Sequence, residues 1–309
     1  MNIRTNALLS AYTTFQLGGP CPCLVECTSP DELTQTVQKL KKENTPFLLI
    51  GGGSNLVISD HGLSTTVIRY VSKTPLIELN ENDVTVCAST FLDDLALFCV
   101  NEGLEGLNFT TGIPGTVGGA VVGNAGAWGK QVGDLLKSAL IFDAQGKTKT
   151  VGPDYFNFSY RHSHLKETNE IIISVTFTGM PGDPIALAKE RAEIIKKRSE
   201  KHPNLTTQPC AGSFFRNIEP TSKAQRRQAS GWFLEEAGGK DLKVGGAYIF
   251  DKHANIIIKG KDATAQDVYD LHLRMMDVVK KKFDLQLIRE VRFVGKFKNA
   301  SQKNQESFW

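Results

Sequence analysis

A glycine-rich segment limits what this chain can fold into more than any other feature of the sequence. Nine of the 28 glycines fall between Gly103 and Gly129, and the apolar residues of the stretch 110–126 are small or β-branched. Glycine loses more backbone entropy on folding than other residues, so this density indicates positive φ angles or close approach of the main chain to another group. The segment therefore predicts a bare-backbone surface whose amides bind a ligand, as in loops that hold phosphates and flat cofactors.

A second glycine cluster lies earlier, where the apolar run 47–50 opens into Gly51-Gly-Gly-Ser-Asn55. We call residues 51–55 the first glycine loop and residues 112–119 the second glycine loop. A triple glycine alone is more often a tight turn than a phosphate site. Two such loops in one chain indicate one large ligand held along its length. Neither loop has Rossmann spacing or ends in the Gly-Lys-Ser/Thr of a P-loop, so both of those sites are disfavoured.

The composition is that of an ordinary globular protein and excludes several function classes. The 309 residues suffice for two or three domains, and a net charge of +3 is too small for a general nucleic-acid binder. Basic residues in 189–201 alternate with glutamates, as on a solvated helix face. The six cysteines are scattered without paired Cys-x-x-Cys blocks, which predicts a reducing compartment and no metal site. No run has signal-peptide or membrane-span length, so we expect a cytoplasmic protein without membrane insertion.

Hydrophobic periodicity and turn residues predict an α+β chain. We expect strands at 24–27, 47–50, 66–71, 84–88, 140–143, 171–177 and 287–294, and helices at 29–43, 91–103, 185–201 and 262–282. Pro181-Gly-Asp-Pro184 predicts a boundary between an amino-terminal part that carries the glycine loops and a separate carboxy-terminal part. The polar tail from Lys296 is expected to be loose.

Three polar residues outside the loops are candidates for chemistry. Ser213 lies between a glycine and two aromatic residues, Arg161 ends an aromatic stretch, and Glu290 lies in the last apolar segment. Each alone has an ordinary interpretation as a turn serine, a surface arginine and an exposed strand carboxylate. Ser213 has no Gly-x-Ser-x-Gly around it, so an α/β-hydrolase nucleophile is disfavoured.

The order of these motifs closely resembles the UDP-N-acetylenolpyruvoylglucosamine reductase family, over roughly 13–294. The motifs are Gly51-Gly-Gly-Ser-Asn55, Gly112-Ile-Pro-Gly-Thr-Val-Gly-Gly119, Asn124-Ala-Gly126, Tyr160-Arg161, Ala211-Gly-Ser-Phe-Phe215, Gly231-Trp232, Lys252-His-Ala-Asn255 and Arg289-Glu290-Val291. The resemblance implies an α+β architecture with a two-part FAD-binding region of the vanillyl-alcohol-oxidase (PCMH) type and an α+β substrate-binding domain. We assign 1–70 and 71–183 to the two FAD-binding subdomains, 184–295 to the substrate domain and 296–309 to the tail.

The resemblance also implies a cofactor and the residues that hold it. FAD would be bound without a covalent link, because the first glycine loop offers serine and asparagine where a related oxidase branch has histidine. NADPH would be the reductant. The implied FAD-binding residues are Gly51, Gly52, Gly53, Ser54, Asn55, Leu56, Gly112, Ile113, Pro114, Gly115, Thr116, Gly118, Gly119, Asn124 and Gly126.

For catalysis, the resemblance implies roles for Arg161, Ser213 and Glu290. The guanidinium of Arg161 suits the negative charge that develops on the substrate carboxylate, because it stays protonated and its fork matches a carboxylate. Glu290 would orient and polarise that carboxyl group, and Ser213 would give a proton to the carbanion.

Further residues would bind the substrate, an enolpyruvyl UDP-N-acetylglucosamine. They are Tyr160, Asn217 and Lys240. The segment from 161 to 181 is too short for the insertion that carries a substrate-closing tyrosine in one subtype, which indicates the compact subtype. Ile249-Phe-Asp-Lys stands where the family usually has a run of small residues before Lys-His-Ala-Asn. We expect this departure to affect only local packing.

We expect a monomeric enzyme, and two alternatives stay open. The first is another FAD oxidoreductase of the superfamily, such as an oxidase, although an oxidase would not need Ser213, Arg161 and Glu290. A non-catalytic nucleotide-sugar or flavin-binding module would bind ligand without turnover.

Overall fold

The computed structural model describes residues 1–143, 145–168, 170–220 and 226–300. In these residues the strands are β1 (Asn2–Leu8), β2 (Pro20–Cys27), β3 (Phe47–Ile50), β4 (Leu56–Ile58), β5 (Thr66–Tyr70), β6 (Ile77–Asn80), β7 (Asp83–Cys87), β8 (Leu104–Glu105), β9 (Gly126–Ala127), β10 (Lys130–Gln131), β11 (Leu136–Phe142), β12 (Thr148–Val151), β13 (Ile171–Thr178), β14 (Met180–Pro181), β15 (Lys243–Val244), β16 (Ala247–Ile249), β17 (Ile257–Lys259) and β18 (Arg292–Val294). The α-helices are α1 (Pro30–Lys42), α2 (Leu92–Asn101), α3 (Val117–Gly123), α4 (Pro184–Lys201), α5 (Ser230–Glu236) and α6 (Ala265–Phe283).

The amino-terminal sheet has the strand order β1-β2-β5-β3. Strands β2, β5 and β3 are parallel, and β1 is antiparallel to β2. Helix α1 joins β2 to β3 and begins where the sequence predicts, because the Ser29 hydroxyl accepts a hydrogen bond from Glu32 N (3.3 Å) and Pro30 occupies the first turn. The first glycine loop follows the carboxyl end of β3.

The second sheet is antiparallel throughout, in the order β12-β11-β13-β7-β6. One hydrophobic core joins the two sheets, since Ile68 of β5, Val37 of α1 and Val175 of β13 belong to the same buried cluster. The second glycine loop runs onto this sheet at the end of β7. There Gly118 N donates to Ala88 O (3.0 Å), and a Cβ at Gly118 would lie 3.0 Å from the Ala88 Cβ. Glycine is therefore required for helix α3 to approach the sheet this closely.

The carboxy-terminal part is built from the small sheet β15-β16-β17 and helices α5 and α6. A capping box starts α6, in which Thr264 Oγ1 accepts from Asp267 N and the Asp267 carboxylate accepts from Thr264 N. Several contacts reach back to the amino-terminal part, among them a strand pairing and a helix cap. Strand β18 pairs in parallel with β4, and the Asp60 carboxylate accepts from Ala265 N at the start of α6 (2.8 Å).

The helix α4, which follows the predicted boundary at Pro184, packs against α2. Its Arg191 pairs with Asp93 of α2, so this helix is joined to the part of the chain before the boundary. None of the helices in the described ranges is long and apolar enough to cross a membrane.

The structure differs from the sequence expectations in three places. A short helix, α3, forms inside the glycine-rich segment, where we expected bare loop. The last strand covers only 292–294, because the chain changes partner: Arg289 bridges to Phe215, and pairing with β4 starts at Arg292. The tail does not begin loosely, since Phe297 is 4% exposed and stacks on Tyr269. Residues 301–309 of the predicted tail lie outside the described residues.

Candidate active site

The two glycine loops meet face to face. The Ser54 hydroxyl of the first loop donates to the Pro114 carbonyl of the second loop (3.0 Å). A Cβ at Gly52 would lie 3.0 Å from Gly115 Cα, and a Cβ at Gly51 would lie 2.4 Å from the Thr116 hydroxyl. Side chains at these positions would push the loops apart. The two loops therefore pack closely against each other. Residues 117–119 of the second loop belong to helix α3, so the predicted bare-backbone surface is in part helical.

Backbone donors in the first glycine loop are available to a ligand. Among the hydrogen bonds of the described residues, none is donated by the amides of Gly52, Gly53 or Ser54. Gly53 has φ +65°, and a Cβ there would lie 2.2 Å from Tyr12 O, so the position needs glycine. Successive unpaired amides in such a turn suit a phosphate group. This arrangement fits the pyrophosphate of a dinucleotide cofactor.

A partly exposed ion pair holds the second glycine loop. The Asp93 carboxylate accepts from Gly112 N (2.7 Å) and forms two parallel hydrogen bonds with the Arg191 guanidinium (2.9 and 2.8 Å). Burial opposes ionisation of Asp93, but the Arg191 guanidinium and the Gly112 amide hold its pKa below the usual range. Neither Asp93 nor Arg191 is among the site residues predicted from the sequence. An acidic residue in the first turn of a helix was the only signal, and it is also what an ordinary helix start shows.

Asn124 positions neighbouring backbone through its side chain. It ends α3 in the left-handed conformation (φ +44°) and is fully buried. Its amide donates to Ser159 O (2.9 Å), and its Oδ1 accepts from Gly133 N (3.1 Å). The side chain therefore ties the end of α3 to the turn that carries Arg161.

Arg161 and Glu290 form an ion pair between two distant parts of the chain. The Arg161 Nε lies 2.9 Å from the Glu290 Oε1, and its Nη2 donates to the Gly126 carbonyl (2.7 Å). Both side chains are only 22% exposed. Burial raises the pKa of Glu290, while the cations of Arg161, Lys166 and Arg216 act in the opposite direction. A carboxyl group of this kind can share a proton with a bound carboxylate.

Asn55 connects the first glycine loop to this ion pair. Its side-chain amide donates to the Glu290 carbonyl (3.1 Å), and its own carbonyl accepts from Arg292 N (3.0 Å). Glu290 is therefore positioned by the loop that the sequence assigns to the cofactor.

Ser213 lies on a short segment, residues 213–216, which we call the serine segment. Its backbone is hydrogen-bonded to two other motifs. The neighbouring Phe214 donates its amide to Asn255 O (2.8 Å) and accepts from Glu290 N (2.9 Å) at its carbonyl. The buried Asn255 side chain also hydrogen-bonds both backbone groups of Phe215. Its Oδ1 accepts from Phe215 N (2.9 Å), and its Nδ2 donates to Phe215 O (2.8 Å). The Ser213 hydroxyl makes no hydrogen bond with the described part of the chain, so it is available to a substrate.

Two further cations act on Glu290, and neither of them is among the site residues predicted from the sequence. Lys166 Nζ donates to the Arg161 carbonyl (2.7 Å), and burial together with the nearby cations lowers the pKa of Lys166 to about 8. The Arg216 Nε is buried without a partner among the described residues. Arg216 directly follows the motif Ala211-Gly-Ser-Phe-Phe215, and Lys166 lies five residues after Arg161, so proximity to the motifs was the available signal.

The predicted substrate residues divide into two groups. The Tyr160 hydroxyl accepts from Asn217 N (3.3 Å), which brings these two residues together beside Arg161. The Asn217 Oδ1 lies within hydrogen-bond distance of Ser230 N (3.4 Å). Lys240 instead pairs with Glu235 (2.6 Å), and none of its contacts with the described residues joins it to the other predicted site residues.

Two family models match this chain. Residues 202–294 match the carboxy-terminal domain of UDP-N-acetylenolpyruvoylglucosamine reductase, and residues 21–152 match an FAD binding domain. The first match contains Ser213 and Glu290, and the second contains both glycine loops.

Reductases and a solved structure from other bacteria are similar over nearly the full length. The UDP-N-acetylenolpyruvoylglucosamine reductase of Lactobacillus gasseri is 37% identical over 97% of this chain and 96% of its own length. The corresponding enzyme of Clostridium botulinum strain Alaska E43 is 33% identical over 95% of this chain and 93% of its own length. The crystal structure of the reductase from Thermus caldophilus superposes with a TM-score of 0.78 at 30% identity, covering 94% of this chain and 99% of that one. Arrangement, family models and relatives agree, and this chain belongs to the UDP-N-acetylenolpyruvoylglucosamine reductase family.

Proposed function

We propose that this chain reduces the enolpyruvyl ether of UDP-N-acetylglucosamine to UDP-N-acetylmuramate, a precursor of peptidoglycan, at the expense of NADPH. Family membership establishes an FAD-containing reductase. The observation that carries the assignment to these residues is the Arg161–Glu290 ion pair, which meets the serine segment on one side and the first glycine loop on the other. A guanidinium paired with a partly desolvated carboxyl group suits recognition of a carboxylate.

The two glycine loops would hold FAD without a covalent bond. The free amides of the first loop suit the pyrophosphate, and the second loop supplies a bare surface for a flat ring. The residues that we propose as contacts are Gly51, Gly52, Gly53, Ser54, Asn55, Leu56, Gly112, Ile113, Pro114, Gly115, Thr116, Gly118, Gly119, Asn124 and Gly126. When bound, the flavin supplies hydride-transfer chemistry, taking two electrons from NADPH and delivering them to the enolpyruvyl double bond.

Arg161 and Glu290 act on the substrate carboxylate. As the terminal carbon of the enolpyruvyl group gains hydride, the electron pair of the double bond moves to the carbon beside the carboxylate and spreads into it. The Arg161 guanidinium stabilises this growing negative charge, because it is always protonated and is held in place by Gly126 and Glu290. The raised pKa of Glu290 lets its carboxyl group share a proton with the substrate carboxylate.

Ser213 completes the reduction by giving its hydroxyl proton to the carbon beside the carboxylate. The serine then regains a proton from solvent. A serine hydroxyl is a weak acid, so its contribution depends on position. Its segment is fixed by Asn255 and by Glu290 N, which is the support that a positioned donor needs.

Tyr160, Asn217 and Lys240 would bind the nucleotide sugar. Tyr160 and Asn217 lie beside the ion pair, whereas Lys240 would have to exchange its contact with Glu235 for the diphosphate. We propose a monomeric, cytoplasmic enzyme of the compact subtype, with FAD-binding subdomains at 1–70 and 71–183 and a substrate domain at 184–295.

Anaerobic half-reactions test this function. NADPH should bleach the yellow holoenzyme, and enolpyruvyl UDP-N-acetylglucosamine should then restore its colour without oxygen. Reoxidation by oxygen but not by this substrate would favour another oxidoreductase, and a protein that NADPH does not bleach would favour a binding module.

A further inference from the structure

The backbone of Arg161 adopts a conformation that most residues avoid. Mutual hydrogen bonds between Ser159 and His162 (3.1 Å each) leave Tyr160 and Arg161 as the two central residues of a tight turn. Arg161 has φ +56°, in the left-handed region that residues with a Cβ usually avoid. Such strain persists at functional sites only where the surroundings hold it. Some contact must therefore fix this turn.

Asn124 holds the start of this turn through the Ser159 carbonyl, and Lys166 holds the strained residue itself. The Lys166 Nζ donates a hydrogen bond to the Arg161 carbonyl (2.7 Å), and a 3-10 turn at His164–Lys166 returns the chain to the strained residue. The guanidinium of Arg161 is meanwhile fixed by Gly126 and Glu290. The main chain and the side chain of Arg161 are thus held separately, and Lys166 holds the main chain.

The charged groups that face Lys166 come from every segment around it. Arg161 lies on its own segment, Arg216 on the serine segment, Glu290 on the segment before β18, and Arg292 at the start of β18. Burial lowers the pKa of Lys166 to about 8, with repulsion from Arg216 next in importance and attraction to Glu290 opposing it. Below about pH 8 the Lys166 ammonium is present, and above that pH Lys166 loses its proton.

We propose that Lys166 is a positioning residue of the reductase: it fixes the Arg161 carbonyl and so sets where the guanidinium meets the substrate carboxylate. The inference rests on the proposed function. It predicts that loss of Lys166 weakens recognition of the carboxylate without weakening recognition of the rest of the nucleotide sugar.

Two ligands separate these effects in the holoenzyme. UDP-N-acetylmuramate carries the carboxylate, and UDP-N-acetylglucosamine lacks the whole lactyl group. By calorimetry, Lys166→Met should bind the first roughly 10-fold more weakly, the scale of about one charge-assisted contact, and the second as the parent does. Lys149→Met is the matched control, because Lys149 contacts Tyr155 and Glu170 rather than Arg161 and its loss should change neither affinity.

Kinetics provide the second readout. Lys166→Met should slow substrate-dependent reoxidation about 10–100-fold, as expected for a reacting group misplaced by about 1 Å, and leave reduction by NADPH unchanged. The parent should lose kcat/KM as pH rises through about 8. Lys166→Arg should keep part of the activity and lose this alkaline limb, because its guanidinium stays protonated.

Several results would overturn the inference. One is parent-like affinity for both ligands in Lys166→Met; another is equal weakening of both with a lower melting temperature, which would mean a purely structural lysine. If Lys166→Met fails to fold, an unchanged alkaline limb in Lys166→Arg would overturn it. A parent that binds both nucleotide sugars but does not reoxidise with the enolpyruvyl substrate would refute the proposed function, and with it the expected effect of Lys166 on turnover.

Discussion

Replacing Asn255 with alanine tests whether the serine segment is held as the structure indicates. The Asn255 side chain is 2% exposed and makes two hydrogen bonds to the backbone of Phe215 (2.9 and 2.8 Å). Alanine removes both bonds and leaves a buried amide and a buried carbonyl without these partners. The expected loss is about 2–4 kcal/mol of the free energy of unfolding. At roughly 2–4 °C per kcal/mol, the melting temperature should fall by about 4–16 °C.

The same substitution should affect one half-reaction selectively. Phe214, between Ser213 and Phe215, bonds both Asn255 O and Glu290 N, so a looser segment displaces the proton donor and its neighbouring carboxylate. Substrate-dependent reoxidation should slow at least about 10-fold, whereas reduction by NADPH should not change. Thermal unfolding and stopped-flow absorbance, at equal FAD concentration for all variants, measure the two effects.

Asn204→Ala is the matched control, because Asn204 is exposed and its side chain caps Thr206 N (3.0 Å), where water can replace it. It should change the melting temperature by little more than about 1 °C, since exposed positions contribute roughly 0.5 kcal/mol or less. If Asn255→Ala melts and reoxidises like this control, the two hydrogen bonds from Asn255 to Phe215 do not hold the serine segment. That result would refute the reasoning.

Two further substitutions test the proposed chemistry. Ser213→Ala should slow reoxidation by substrate at least ~10²-fold with unchanged reduction by NADPH, as expected for a positioned acid, and equal slowing of both half-reactions would show a structural serine. Arg161→Lys keeps the charge but loses the planar fork, so reoxidation should fall about 10–100-fold, or ~1.4–2.7 kcal/mol of transition-state stabilisation, with little change in melting temperature. A lysine variant as fast as the parent would place Arg161 away from the reacting carboxylate.

Several elements followed from local sequence alone. The start of α1 was predictable because its cap, Ser29, and its acidic first turn act within a few residues. The predicted start of α6 at 262 is early, because the capping box of Thr264 begins the helix at Ala265. The glycine loops were predictable as bare backbone because no other residue fits Gly53 or Gly115, where φ is +65° and +117°. The order of the motifs also indicated the family, which the relatives confirm.

Other features depend on contacts between residues far apart in the chain. The 287–294 segment reads as one strand by its apolar pattern, but it pairs first with Phe215 and then with β4, so its regular strand is short. Helix α3 forms in a segment of poor helix formers because its backbone lies against the end of β7. Local propensity is weak compared with such packing, which is why these differences arose here.

The sequence by itself determined which residue types are present: two bare-backbone loops, a serine, an arginine and a carboxylate in a family-specific order. Only the tertiary structure decided that Arg161 and Glu290 meet at 2.9 Å and that Asn55 of the first loop supports Glu290. It also decided that Lys166 lies among cations, where burial lowers its pKa. The physical reason is that hydrogen bonding and burial act through space, whereas a sequence pattern records only neighbours along the chain.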